Sequence, residues 1–489
     1  MRLGDLMDIR GPGAAEAAAR TIAGITADSR AVVPGTIFAA LPGTRVDGRA
    51  YIGEAVARGA CAVLAPPGTD WPPGVPPRPL IEDAEPRRRL ARIAAELAGR
   101  QPACVIAVTG TNGKTSTVEF LRQIWAAAGR PAASLGTLGL NAPGMPAGPG
   151  LTTPDPVSLA RTLAALRVAG IDHAALEASS HGLDQFRLDG VALAAGGFTN
   201  LTRDHLDYHG DIDAYRRAKL RLFGDLLPRG APAVVNADMD ATTLAAVTDI
   251  AARRGLDLRS VGEAGDAWRL LRATPRPDGQ DLDLVVGGTR RTVALALPGR
   301  FQAENAILAG ALAEATGETS VVERMPHLTG VRGRLELAAR LPGGAAVYVD
   351  YAHTPDALER LLMALRPHTG GRLHVVFGAG GDRDAGKRPL MGAAAARLAD
   401  VVVVTDDNPR SEKPEAIRAA VLAGAQAAMP GRARDGGERR AAIAAAMSDL
   451  RPGDVLAVAG KGHEQGQTIG GETFPFDDRA VVRALAGLS

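Results

Sequence analysis

Short apolar runs alternate with amphipathic stretches along most of the chain, a pattern that predicts the strands of a mostly parallel sheet joined by helices. From Cys104 an apolar run leads into a Gly-rich turn. A periodic segment over 115–128 follows and stops at Gly129 and Pro131, giving strand, loop and helix in succession. Further apolar runs at 174–178, 197–199 and 233–236 read as strands between helical segments. Residues 268–297 differ: alternating positions broken by Pro277-Asp278-Gly279 and Gly287-Gly288 predict an antiparallel ribbon. A further α/β block opens near Val331, with strands expected at 345–350, 373–377, 401–405 and 455–458, each ending in a polar or Gly-rich loop. In open α/β sheets such strand ends hold ligands. Upstream, residues 1–97 carry signals of a small α/β domain, with a turn-rich stretch over 41–48, a short helix at 52–59, a Pro-rich loop at 66–77 and a periodic helix at 85–99.

At 489 residues the chain exceeds what one core organises, and three domains are expected: 1–97, 98–331 and 332–489. A net charge of +2, with no cationic run beyond clusters such as Arg87-Arg88-Arg89, gives no basis for nucleic-acid or membrane attraction. Residues 1–11 lack a cation-then-apolar leader, and no stretch approaches the roughly 18 apolar residues of a membrane span. Cys61 and Cys104, far apart in apolar sequence, supply neither a disulfide framework nor a zinc site. A cytoplasmic protein acting as a monomer is expected. Of 56 basic residues only five are lysines: Lys114, Lys219, Lys387, Lys413 and Lys461. A chain that uses Arg for surface charge keeps Lys where a primary amine is needed, although Lys413 reads as an ordinary loop cation.

The segment Thr109-Gly110-Thr111-Asn112-Gly113-Lys114-Thr115-Ser116 sits between the predicted strand and helix. Backbone N–H groups there would cradle phosphates, Lys114 would reach the outer oxygens and Thr115 would meet Mg²⁺, so ATP binding is expected. Val108 stands where the strict pattern has glycine, making this a variant phosphate loop. Glu177 closes an apolar strand in Leu176-Glu177-Ala178-Ser179-Ser180-His181, where such proteins hold Mg²⁺; a salt-bridged rim carboxylate is the competing reading. The segment Asp204-His205-Leu206-Asp207-Tyr208-His209 is dense in imidazoles and carboxylates, with His205 the preferred ligand. Lys219 lies on a short helix that can aim it at the strand ends, where an unmodified ammonium would repel Mg²⁺.

Taken together, Gly110-Thr111-Asn112-Gly113-Lys114-Thr115, Glu177-Ala178-Ser179-Ser180-His181-Gly182, and Asp204 through Gly210 followed by Ala218-Lys219 resemble the Mur ligases of peptidoglycan synthesis. The resemblance implies a small nucleotide-sugar domain, a central P-loop ATPase-like domain and a Rossmann-like C-terminal domain. It also implies that Lys219 is carbamylated and that the new carboxylate binds a second Mg²⁺ together with His205 and Glu177, beside the ion met by Thr115. Gly299-Arg300-Phe301-Gln302-Ala303-Glu304-Asn305 is similar to the family's adenine-contacting segment, with Asn305 the matching contact. By the same analogy Arg334 contacts the γ-phosphate and Asp350 the ribose. A domain-interface salt bridge and a helix N-terminal carboxylate are the structural alternatives.

Three loops of the last block bring cations, an amide and acids together: Gly380-Gly381-Asp382-Arg383-Asp384, Asp407-Asn408-Pro409-Arg410 and Gly460-Lys461-Gly462-His463-Glu464. A zwitterionic substrate needs that mixture, Arg pairing a carboxylate and Glu464 receiving an ammonium. In the resembling family Asp-Asn-Pro-Arg marks members that add meso-diaminopimelate, which implies contacts from Arg383, Asp407, Asn408, Arg410, Gly460 and Glu464. Lys387 and Lys461 read as tethers for loops or phosphates. Ser29, Thr152, Thr153, Ser179, Gln185 and Arg187 match positions that hold the UDP-muramoyl dipeptide in the family, though Thr152-Thr153-Pro154 also reads as a helix start. Near Thr44-Arg45 the first domain departs from better-known relatives. The implied reaction phosphorylates the acceptor's D-glutamyl carboxylate, and the amine of diaminopimelate then attacks the acyl phosphate. A lysine-adding muramyl ligase, a folylpolyglutamate synthase and a P-loop switch that hydrolyses ATP slowly are the competing readings.

Overall fold

The computed structural model describes residues 2–6, 14–43, 46–148 and 150–488. Of the segments read above, Met1, residues 7–13 and Thr44-Arg45 lie outside the described residues. The chain separates into two compact units, Met1–Ser260 with Ala311–Glu318, and Val261–Gly310 with Thr319–Ser489. Among the described residues no helix is long and apolar enough to cross a membrane, and Cys61 and Cys104 are both free thiols.

In the first unit, four short strands, Gly24–Thr26, Thr36–Ala39, Ala62–Ala65 and Leu80–Glu82, form a parallel sheet in chain order. One face packs Ile25, Ile37 and Leu64 with Leu90 and Ile93 of the helix Pro86–Ala98; the other packs Phe38 and Val63 with Ile52 and Val56 of the helix Ile52–Ala57. These strands are three or four residues long, too short for the sequence to declare individually. A larger sheet in the same unit runs in the order Pro232–Asn236, Ala195–Phe198, Cys104–Thr109, His173–Glu177, Ala132–Gly136, Gly139–Asn141, parallel except for the last hairpin. Cys104–Thr109 lies between His173–Glu177 and Ala195–Phe198, two strands that follow each other in sequence. The chain therefore crosses over it, and its carboxyl end opens a crevice of the kind that binds ligands.

The second unit holds the expected antiparallel ribbon, Trp268–Arg276, Gly279–Val286 and Thr289–Leu295. It also holds a six-stranded sheet ordered Glu336–Arg340, Ala346–Asp350, Val455–Ala459, Leu373–Phe377, Val401–Thr405, Ala433–Gly437. Only the first pair is antiparallel. Val375, Phe377, Val402 and Val404 pack with the helices Pro355–Leu365, Lys387–Leu398 and Pro414–Ala428 on one face. Val347, Val376, Val403 and Val458 pack with Arg439–Ser448 and Asp478–Leu485 on the other. Both edge strands escaped the apolar pattern, since an edge is paired on one side and tolerates the polar sequence Ala433-Arg434-Asp435-Gly436-Gly437.

His368 ties this unit together. Its Nε2 accepts the Gly299 N–H at 2.9 Å and its Nδ1 stands 2.7 Å from the Arg276 carbonyl, which only accepts, so the ring is a neutral Nδ1–H tautomer. Burial pushes its pKa below the ordinary 6.5, with backbone bonds to Arg276 and Gly279 opposing. The unfolded chain thus binds the proton more readily, and this contribution to stability is full above pH 6.5 and is lost as pH falls below it. Thermal unfolding of the wild type at pH about 7.5 and about 5 should show a fall that His368→Gln reduces, by an amount on the order of 1 kcal/mol.

Candidate active site

At the carboxyl end of Cys104–Thr109 the chain turns through Gly110 and Gly113 into the helix Lys114–Ala127. Gly113, at φ +87°, occupies the left-handed region that lets the loop fold over the helix N-terminus. The loop is pinned by the segment after the next strand: Thr199 Oγ1 donates to Asn112 O at 2.6 Å, the Asn112 N–H donates to Asn200 Oδ1 at 3.0 Å, and the Thr111 N–H donates to Asn200 O at 2.8 Å. The Thr202 N–H and the Tyr215 hydroxyl both donate to Thr111 Oγ1, at 2.9 and 3.1 Å. No motif in the sequence marks Thr199, Asn200, Thr202 or Tyr215 as partners of this loop; the polar run that closes the strand at 197–199 is the signal that points to the first three. Lys114 Nζ arches back over the loop, donating to Gly110 O and Thr111 O at 2.9 Å each, while Thr115 and Ser116 are buried at the helix start. A helix N-terminus, a glycine turn and a lysine over them fit a phosphate chain. At Gly110, φ is +144° and a Cβ would stand 1.8 Å from Thr199 Oγ1. Gly110→Ala should cost about 3 kcal/mol and abolish the thermal shift produced by ADP, measured by melting with and without nucleotide.

Lys219 lies on the helix Ile212–Arg221 and points into this loop, fully buried, its Nζ donating to Gly110 O at 2.6 Å and standing 4.5 Å from the Tyr215 ring centre. Burial, reinforced by the charge of Lys114 and opposed by Asp204, pushes its amine well below the ordinary lysine range. His205 sits at φ +53° before the short helix Leu206–His209, its Nε2 3.6 Å from Asp204 Oδ2. The His181 ring lies 5.0 Å from that of His205, 4.0 Å from Tyr208 and 5.5 Å from His209. Glu177 is buried, accepts from Thr137 N–H at 2.8 Å and from Thr137 Oγ1 at 3.2 Å, and lies so close that a Cβ on Gly136 would meet its carboxylate at 2.1 Å. Among the described residues no three His, Cys, Asp or Glu side chains come together as a cation site. Thr115, Glu177 and His205 carry a hydroxyl, a carboxylate and an imidazole, and a carboxylate on Lys219 would be a further oxygen donor of the kind Mg²⁺ accepts.

Four of the six residues matched to the acceptor, Thr153, Ser179, Gln185 and Arg187, are joined directly, and Thr152 reaches them through Thr137 and Glu177. Thr152 Oγ1 lies 3.0 Å from Thr137 Oγ1, and Thr153 Oγ1 donates to Glu177 O at 2.8 Å and lies 3.0 Å from Ser179 Oγ. Arg187 donates to Thr153 O at 2.6 Å and to Gln185 Oε1 at 2.8 Å; Gln185 Nε2 in turn donates to the Tyr208 hydroxyl at 3.1 Å. Burial pushes the Arg187 guanidinium below its ordinary value, with Asp155 and Tyr208 opposing. The helix Pro156–Val168 is capped by Asp155, not by either threonine, which removes the helix-start reading of Thr152-Thr153. Ser29 stands apart from this cluster, its hydroxyl donating to Glu54 Oε2 at 2.9 Å.

In the second unit, Asn305 is buried on the helix Arg300–Ala315, and neighbouring Gln302 donates to Arg334 O at 3.0 Å. The Arg334 guanidinium lies 4.9 Å over the Tyr351 ring centre, and its buried Nε has no hydrogen-bond partner, a donor available to an anion. Asp350 ends its strand and accepts from Leu335 N–H at 2.6 Å and Ala352 N–H at 2.8 Å. Burial raises its pKa, with Arg334 opposing. Thr354 caps the helix Pro355–Leu365, so Asp350 is not that helix's capping carboxylate. Burial and the Arg334 charge push His463 down to about 4, leaving it neutral at physiological pH.

The three C-terminal loops meet at the carboxyl ends of Leu373–Phe377, Val401–Thr405 and Val455–Ala459. Arg410, at φ +53°, donates from Nη1 to Gly381 O at 2.6 Å, and the Gly381 N–H donates to Asn408 O at 2.9 Å, zipping the first two loops together. Asn408 Nδ2 donates to Glu464 Oε2 at 3.0 Å. Asp407 is buried with Oδ2 unpartnered; its nearest cation, the fully buried Arg439, is 4.0 Å away and engaged with Asp478 at 2.7 Å. Gly460 leaves room here, since a Cβ would stand 2.6 Å from Asp407 Oδ2. Arg383 is exposed on its loop, and Lys387 donates to His353 O at 3.0 Å, a loop tether. Two carboxylates beside two guanidinium groups suit a ligand with both an ammonium and a carboxylate.

A phosphate loop at the crossover of one parallel sheet, and an amino-acid-type crevice at the strand ends of another, define an ATP-binding α/β protein built to handle an amino acid. The chain belongs to the Mur ligase family. Its residues 21–96 match the family's catalytic domain, 108–313 the Mur ligase middle domain and 333–462 the glutamate ligase domain. It is 54% identical over 479 residues to the UDP-N-acetylmuramoyl-L-alanyl-D-glutamate--2,6-diaminopimelate ligase of Caulobacter vibrioides, covering 96% of each chain. The enzyme of that name from Rhizobium meliloti is 52% identical over 478 residues, covering 97% of this chain and 96% of its own. A solved structure of a ligase with the same name superposes with a TM-score of 0.75 at 32% identity, covering 100% of this chain and 99% of the other. The MurF ligase of Thermotoga maritima in complex with ADP shares the fold at a TM-score of 0.60 and 18% identity, covering 96% and 97%.

Proposed function

We propose that this protein is the ATP-dependent ligase that joins meso-diaminopimelate to the D-glutamyl carboxylate of UDP-N-acetylmuramoyl-L-alanyl-D-glutamate. The observation that carries the reading is the C-terminal crevice, where Arg410 and Arg383 stand beside the Asn408–Glu464 pair and the unpartnered Asp407 oxygen. A second amino-acid centre needs a cation for its carboxylate and an acid for its ammonium, and lysine, lacking the distal carboxylate, leaves Arg410 with no carboxylate to pair. Full-length identity above 50% to relatives named for this reaction supports the same reading.

In this reading the loop Gly110–Ser116 and Lys114 hold the ATP phosphates, Asn305 the adenine, Asp350 the ribose and Arg334 the γ-phosphate. Ser29, Thr152, Thr153, Ser179, Gln185 and Arg187 hold the acceptor. Transfer of the γ-phosphoryl group to the acceptor carboxylate releases ADP, and attack by the amine then forms the amide and releases phosphate. Positioning and charge stabilisation do most of the work. Lys219 reacts as a neutral amine with CO₂, losing a proton and gaining a carboxylate. Thr115, Glu177, His205 and that carboxylate would hold Mg²⁺, which supplies charge neutralisation at the phosphates. We divide the chain into acceptor, ATP and amino-acid domains at 97/98 and 331/332, divisions supported by the three family matches. The enzyme acts as a cytoplasmic monomer.

Purified protein with ATP, Mg²⁺, the acceptor dipeptide and diaminopimelate should release phosphate in step with amide formation. Phosphate release no higher than in single-omission controls sinks the proposal. Release that ignores the amino acid favours a slow ATPase switch.

A further inference from the structure

Lys461 has no exposed surface, and the reaction above gives it nothing to do. It follows the strand Val455–Ala459 and Gly460, and its Nζ donates to Asn408 Oδ1 at 3.2 Å and to Glu464 Oε2 at 3.1 Å. Asn408 Oδ1 takes a second bond, from the N–H of Thr468 at 3.0 Å, in the first strand of a short hairpin formed by Gly466–Ile469 and Glu472–Pro475. A lysine nitrogen and a backbone N–H are donors only, so the amide oxygen of Asn408 must face both. Its Nδ2 is then turned the other way, giving one hydrogen to Glu464 Oε2 and keeping the second for a ligand. Glu464 takes both of its bonds on Oε2, which leaves Oε1 to receive an ammonium.

We propose that Lys461 is a positioning residue that sets the polarity of the amino-acid crevice. It fixes Asn408 as a hydrogen-bond donor beside the arginines and holds Glu464 as the acceptor for the distal ammonium. The inference rests on the diaminopimelate reading of this crevice and adds the reason that it accepts a charged second centre in one orientation. An uncharged residue of similar length would leave Asn408 oriented only by Thr468 and by a Glu464 carboxylate that has lost its own tether to Lys461. The amide could then turn its oxygen toward the incoming carboxylate, where it repels.

The test is steady-state kinetics of full-length Lys461→Met and Lys461→Gln with each substrate varied in turn. Lys461→Met should raise KM for diaminopimelate about 10- to 100-fold, the range expected when buried polar groups lose a partner, with kcat within about threefold and KM for ATP unchanged. Lys461→Gln, which keeps N–H donors, should fall between it and the wild type. In a double-mutant cycle with Asn408→Ala, Lys461→Met should cost less than it does alone, because the part of its effect that acts through that amide is already lost and only its hold on Glu464 remains. Equal rises in KM for ATP and diaminopimelate, additive effects in the cycle, or the failure of both variants to fold would make Lys461 a structural strut and overturn the inference. Wild-type protein that uses another amino acid in place of diaminopimelate defeats the parent reading instead, and the Lys461 variants are then read with that amino acid.

Discussion

Lys219→Arg is expected to lower amide formation by about 10³-fold or more, a loss on the scale of removing a group that stabilises transition-state charge. Lysine and arginine are both cations in water, so the substitution isolates what a buried primary amine can do and a guanidinium cannot. Lys219 is enclosed, bonded to the carbonyl of Gly110 and pushed by burial toward its neutral form, the form that reacts with CO₂. An arginine there stays protonated, brings a second fixed cation beside Lys114 and cannot become a carboxylate. The measurement is phosphate release and amide formation with all substrates saturating, and melting of each variant reports folding. A second arm uses wild-type protein: activity should decline after prolonged dialysis in CO₂-free buffer and return on adding bicarbonate. An arginine variant with a tenth of wild-type activity, or a wild type indifferent to CO₂, would show that Lys219 acts as the lysine it is.

The contrast between Lys219 and Lys461 shows what could be read before the fold was known. Lys219 stood out because its neighbours, Asp204, His205 and Glu177, imply a metal that a cation should avoid, a conflict visible in one dimension. Lys461 also stood in a conspicuous loop, yet its role depends on Thr468 and Asn408 fixing one amide between them, and no spacing announces that. The same division runs through the fold. Strands 373–377 and 401–405 were legible to the residue because they are central in their sheet and apolar on both faces. The edge strand Ala433–Gly437 was not, since pairing with one neighbour asks for no hydrophobic run. Thr152-Thr153 could be a cap or a contact until Asp155 took the capping position. The phosphate loop was plain from its glycines, whereas the Thr199–Thr202 segment that holds it became visible only when two strand ends lay side by side.

Arg410→Gly should separate stability from specificity. Arg410 sits at φ +53°, a conformation that costs a side chain about 1 kcal/mol and costs glycine little, so the substitution relieves backbone strain. Against that gain stands the lost bond from Nη1 to Gly381 O, worth on the order of 1 kcal/mol, and the two should nearly cancel in the melting temperature. Activity has no such compensation. A guanidinium pairs a carboxylate through two hydrogen bonds, and a crevice built for that partner rejects a ligand far more strongly than an apolar pocket does when the pairing is lost. The expected outcome is a fall of about 10²- to 10³-fold in kcat/KM for diaminopimelate, with KM for ATP unchanged. Lysine, which offers no distal carboxylate, should be used as poorly by the variant as by the wild type, so the preference for diaminopimelate over lysine collapses. If the preference survives while both rates drop together, Arg410 only ties its loop to Gly381, and selection falls to Arg383 on the neighbouring turn.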